Sequence, residues 1–89
     1  MANKIIVTVE LDPSKDIAKV PAGAIPRGVV ATTENIVALF EAEEGAAPKA
    51  IEFKYISPNE VDDISGFQYV GFGSWNDGVN ITLVYSREM

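Results

Sequence analysis

Apolar and polar side chains alternate in short runs along nearly the whole chain, the period of two that a pleated strand requires. Lys4 to Leu11 sets Ile5, Val7, Val9 and Leu11 on one face and Lys4, Ile6, Thr8 and Glu10 on the other, which predicts a first strand. Asp12-Pro13-Ser14-Lys15 is turn material, and Asp16 to Val20 reads as a short second strand with Ile17 as its apolar contact, ending at Pro21. Two prolines and a glycine make Pro21 to Pro26 a connector, from which Ile25 is expected to plug the core. Arg27 to Thr33 then reads as a third strand, with Glu34-Asn35 as the turn into a fourth over Ile36 to Glu43.

That fourth run has a helical alternative, because A-L-F-E-A-E-E is rich in helix formers. Its β-branched start and flanking turn signals favour a strand with Ile36, Ala38, Phe40 and Ala42 on one face. After a small-residue loop, Lys49 to Ile56 places Ile51, Phe53 and Tyr55 inward and Glu52 and Lys54 outward, the pattern of a half-buried strand. Ser57 to Gly66 is the longest connection, with room for one helical turn after Pro58 or Asn59 that brings Val61 and Ile64 onto one side.

The last third of the chain organises the rest. Phe67, Tyr69, Gly71, Gly73 and Trp75 alternate with Gln68, Val70, Phe72 and Ser74; Val79, Ile81, Leu83 and Tyr85 alternate with Asn80, Thr82, Val84 and Ser86. Asn76-Asp77-Gly78 between them is hairpin-turn chemistry. Gly71 and Gly73 leave a trough on one face, either because another strand crosses or bends there, or because a ligand or partner lies in a shallow groove walled by Tyr69 and Trp75. About seven such runs joined by turns predict one all-β domain over residues 1–89: a small antiparallel β-sandwich or partly open barrel with a C-terminal hairpin.

Composition narrows the chemistry. With 89 residues and neither cysteine nor histidine, the chain has no disulfide framework, no thiolate nucleophile and no imidazole for acid–base or metal work. No catalytic residue, metal ligand or cofactor is therefore expected. Thirteen acids against seven bases give a formal charge of −6, which repels a phosphate backbone and argues against direct nucleic-acid binding. The apolar runs are far shorter than the roughly 20 residues of a membrane-spanning helix, and the N-terminus reads as a strand, so no membrane contact is expected.

The order V-P-A-G-A-I-P at Val20 to Pro26, N-I-V-A-L-F-E-A-E-E, A-I-E-F-K-Y-I-S, F-Q-Y-V-G-F-G and N-I-T-L-V-Y resembles a family of small proteins of unknown function carried mainly by tailed bacteriophages. Tyr55-Ile56-Ser57 stands where that family has glycine-threonine-glycine, and the closing strand lacks its histidine. The resemblance implies a phage origin and carries no activity with it.

Glu60, Asp62 and Asp63 share one loop, yet lack the glycine and distal glutamate of a calcium loop, and read as a solvated acidic turn. Glu41, Glu43 and Glu44 read as the wet end of a strand, with mimicry of phosphates as the sharper alternative. Arg27 and Arg87 are the only arginines; either one beside Tyr69, Tyr85 or Trp75 would make a nucleotide-sized site, and otherwise both are surface residues.

The expected function is a non-enzymatic, phage-borne binding protein of the host cytoplasm. It would block a host defence or regulatory component by covering a host protein or sequestering a small nucleotide. Tyr69, Phe72 and Trp75 would supply contacts around Gly71 and Gly73, Asn76 and Asp77 polar groups at the tip, and Arg27 a phosphate partner. The rival expectation is a virion protein that decorates a capsid or assembles a tail. Apolar residues on second faces, Ile6, Val70, Phe72 and Val84, further predict a homo-oligomer in which another subunit covers one sheet face.

Overall fold

The computed structural model describes residues 3–59, 62–75 and 80–89. Its strands are β1 (Lys4–Glu10), β2 (Ile17–Pro21), β3 (Ile25–Ala31), β4 (Ile36–Glu43), β5 (Pro48–Ile56), β6 (Gln68–Trp75) and β7 (Asn80–Glu88). They form two antiparallel sheets, β1-β4-β3 and β2-β5-β7-β6, which are not closed into a barrel. The four-stranded sheet contains the C-terminal pair, with Trp75 opposite Asn80. No helix occurs among the described residues: Ile36–Glu43 is the central strand of its sheet, and Asn59, at a φ of 69°, turns the chain after β5; the helical turn read around Val61 falls on residues 60 and 61, outside the described ones.

The sheets face each other across Ala38 and Phe40 of β4 and Val20, Ile51, Phe53, Val70 and Val84 of the other sheet, with Leu11 at one end. Phe40 meets Phe53 across the gap, ring centroids 6.2 Å apart and tilted by 59°, so the large rings fill the centre. The inward faces read from β4 and β5 hold, since Ala38, Phe40, Ala42, Ile51 and Phe53 are all buried.

Four expectations need correcting. Ile25 does not plug the core from a loop; it opens β3 opposite Glu41 and is 43% exposed, because the strand begins before Arg27. Ile17, 55% exposed, pairs with Glu52 on the outside of β2, and Ala18 and Val20 face inward instead. Val70 and Val84 do not wait for another subunit: both lie in the core. The alternation of β6 breaks at Val70, where a bulge shifts the register from Tyr69↔Tyr85 to Gly71↔Val84.

That bulge lies where the sheets come closest. A methyl carbon placed on Gly71 would lie 2.8 Å from Val29 Cγ2 and 2.9 Å from the Val29 backbone nitrogen, so β3 crosses β6 in direct backbone contact. Of the two readings of the glycine trough, the crossing strand is the one present at Gly71. β3 carries a bulge of its own between Pro26 and Gly28, and the φ of 147° at Gly28 suits only glycine.

Candidate functional site

The outer face of the four-stranded sheet follows from register. Across β5, β7 and β6 the outward side chains form rows: Glu52 beside Arg87; Lys54, Tyr85 and Tyr69; Ile56, Leu83 and Phe72; then Ile81 and Ser74. Strict alternation separates Tyr69 from Phe72, an odd and an even position. The extra residue at Val70 puts both on this face, and Phe72 is 63% exposed there.

One end of the face is charged and tied down. Arg87 Nε donates to Glu52 Oε1 at 2.8 Å, and the Arg87 guanidinium lies 4.6 Å from the centre of the Phe67 ring. Lys54 Nζ, 5.0 Å from that ring, donates to Asp62 Oδ1 at 3.2 Å and to the Asp63 carbonyl at 2.7 Å. These cations fix the β5–β6 connection over the sheet by cation–π contact and charge pairing. The other end is apolar. Tyr69 and Tyr85 meet edge to face at 5.5 Å, and beside them Ile56, Leu83, Phe72 and Ile81 form a patch on which Phe72 and Ile81 stand half or more exposed.

The acidic loop spends its oxygens on itself. Asp62 Oδ1 accepts from the Asp63 N–H and from Lys54, and Asp63 Oδ1 accepts from the Ser65 N–H at 3.0 Å. Hydrogen bonds from the Ser65 backbone and hydroxyl hold the Asp63 carboxyl below its usual range. These carboxylates close a turn. Glu60 lies outside the described residues.

The structure brings Tyr69 and Phe72 onto one face and leaves the rest of the expected site elsewhere. Gly71 and Gly73 are buried, and Val29 occupies the space above Gly71, so no ligand groove is floored there. Arg27 lies on the three-stranded sheet, its guanidinium 3.3 Å from Glu41, whose own register neighbours Ile6 and Ile25 face outward; it is not beside Tyr69 or Phe72, which lie on the outer face of the other sheet. Asn76 and Asp77 lie outside the described residues, and of Trp75 only its place at the end of β6 is described. Sequence reasoning missed Leu83, Tyr85 and Ile81 as neighbours of Phe72, because the signal that joins them, the bulge at Val70, leaves no mark in a periodic pattern.

A concavity of about 350 Å³ opens between the sheets beside the β2–β3 turn, where Gly23, Ile25, Gln68, Ser86 and Glu88 line it. The Glu88 carboxylate accepts from the Gly23 N–H at 3.0 Å and pairs with Lys49, and the first of these contacts does most to hold its pKa down. That carboxylate anchors the turn to the end of β7.

A scan against protein-family models finds no match, and searches of the curated proteins and of the solved structures find none either.

Proposed function

We propose that this chain is a non-enzymatic binding protein that acts by covering a partner protein with the outer face of β5, β7 and β6. The observation that carries this reading is Phe72, 63% exposed and flanked by Tyr69, Leu83 and Ile81 on the outer surface of the sheet. Leaving a large ring in water forgoes about 1.5–3 kcal/mol of burial, and contiguous apolar surface of this kind marks protein contact sites. Aromatic anchors rimmed by charge, here Arg87 and Lys54, make the usual anatomy of such an interface. Together with the resemblance to phage proteins, this makes the proposed partner a host defence or regulatory protein.

Nucleotide sequestration has less support. Arg27 and Arg87 are each engaged by a glutamate, and Arg27 lies on the opposite sheet from Phe72. The test pairs two measurements on the full chain. Affinity recovery from host cells should yield a stoichiometric protein partner with the wild type and lose it with Phe72→Asp, while thermal shift against cyclic and linear nucleotides should stay flat. A nucleotide-dependent rise in melting temperature, or a partner retained by Phe72→Asp, would contradict the reading.

A further inference from the structure

An edge strand exposes unpaired backbone, and this fold guards three of its four edges. β2 is short and ends in Pro21; β3 is bulged, contains Pro26 and crosses β6; β6 is bulged as well. β1 has no such device. It is a regular seven-residue edge, Lys4 to Glu10, without proline, glycine or bulge, and Ile6 on it is 58% exposed.

The hydrogen-bond phase of that edge is fixed by its inner neighbour. Leu11 N–H donates to the Ile36 carbonyl at 2.8 Å, and Glu44 N–H to the Asn3 carbonyl at 2.8 Å, both in register with the β1–β4 ladder. The odd residues of β1 therefore bond β4, and the N–H and C=O groups of Lys4, Ile6, Thr8 and Glu10 point away from it. Among the described residues, no backbone hydrogen bond outside the ladder reaches those four.

We propose that the partner for this edge is β1 of a second copy, antiparallel and centred on Val7. In that register Lys4 faces Glu10 of the second copy, Ile6 faces its Thr8, Ile5 faces its Val9, and Val7 faces its own counterpart. The outward-pointing even residues meet each other as hydrogen-bonded pairs, so every free N–H and C=O from Lys4 to Glu10 is satisfied. The two-fold axis doubles each contact, giving two Lys–Glu pairs from one lysine and one glutamate per chain. Lys4 already lies 3.8 Å from Glu43, so the second copy's Glu10 would flank it on the other side in a Glu–Lys–Glu row. Sliding the strands by two residues keeps the hydrogen-bond phase but sets Lys4 opposite threonine or beyond the strand end, so charge selects the centred register. The product is one continuous six-stranded sheet, three strands from each copy.

An edge contact of this length belongs to the small, reversible class of interfaces, with a dissociation constant on the order of micromolar. Sedimentation of the full chain from about 0.1 µM to about 100 µM should show a monomer–dimer equilibrium. Glu10→Lys and Lys4→Glu should each weaken it about tenfold by setting like charges face to face, and the double reversal should restore it to within about threefold. Ile6→Pro removes only an outward N–H and should give a folded monomer. Phe72→Asp should leave the dimer unchanged, which separates this proposal from the partner face above. A monomer throughout the range overturns it, as does a dimer indifferent to both charge reversals and Ile6→Pro, or one dissolved by Phe72→Asp.

Discussion

Two residues show how far a side chain's address depends on its neighbours. Tyr55 reads as an inward position of β5 and lies half-buried against the core; removal from water pushes its hydroxyl up to about 12 from 10, while a backbone hydrogen bond from Asp12 pulls the other way. Because the folded value is the higher one, the neutral phenol favours the native state fully below pH 10. That contribution is lost as pH rises through 10 toward about 12. The stability of wild type should thus fall relative to that of Tyr55→Phe as pH rises through that alkaline window, as melting curves would register; a difference constant across it would place the hydroxyl in ordinary solvent. Phe72 is the opposite case, a large ring whose folded environment is mostly water. Truncation to alanine should change stability by no more than about 0.5 kcal/mol, as thermal or chemical denaturation would register.

At the scale of elements, the pair β6–β7 was only half legible. Its existence, its antiparallel sense and the turn chemistry between the strands follow from alternation and from Asn76-Asp77-Gly78. Which face turns inward does not, and hydropathy points the other way: Val84 and Ser86, from the more polar face, are buried, and Ile81, Leu83 and Tyr85 lie outside. The fold chose the smaller set because β3 lies directly against Gly71, where a larger layer has no room. In β4 and β5 the residues read as the inner face are the buried ones, Ala38, Phe40 and Ala42 in one and Ile51 and Phe53 in the other, and Glu41, Glu43, Glu52 and Lys54 lie on the opposite face. The same contact gives a prediction: Gly71→Ala should cost about 1–3 kcal/mol by overpacking, read from the denaturation midpoint. Adding Val29→Ala should recover only part of it, since the Val29 backbone nitrogen is nearly as close as the methyl group. Full recovery would mean that the strands separate readily and that the crossing is not what fixes the bulge.

For the whole molecule, the layout assigns its surfaces different work. The core consumes the residues between the sheets; on the two proposals, the β1 edge offers backbone to a second copy and the outer face of β5, β7 and β6 offers side chains to another protein. These last two sites lie on different sheets, so a dimer built through β1 would present two copies of the aromatic face at once. The candidate site was legible as residue types, aromatic groups near the C-terminus, and not as geometry: the bulge gathered Tyr69 and Phe72, while β3 filled the glycine trough and Arg27 went to the other sheet. The central claim is that the aromatic face is where this protein meets its partner. A photoreactive phenylalanine analogue at position 72, compared with one at Val30 on the outside of the opposite sheet, tests it most directly in cells that contain the partner. The account predicts one dominant protein adduct from position 72 and none from position 30; adducts from position 30 alone, or from neither, would contradict it.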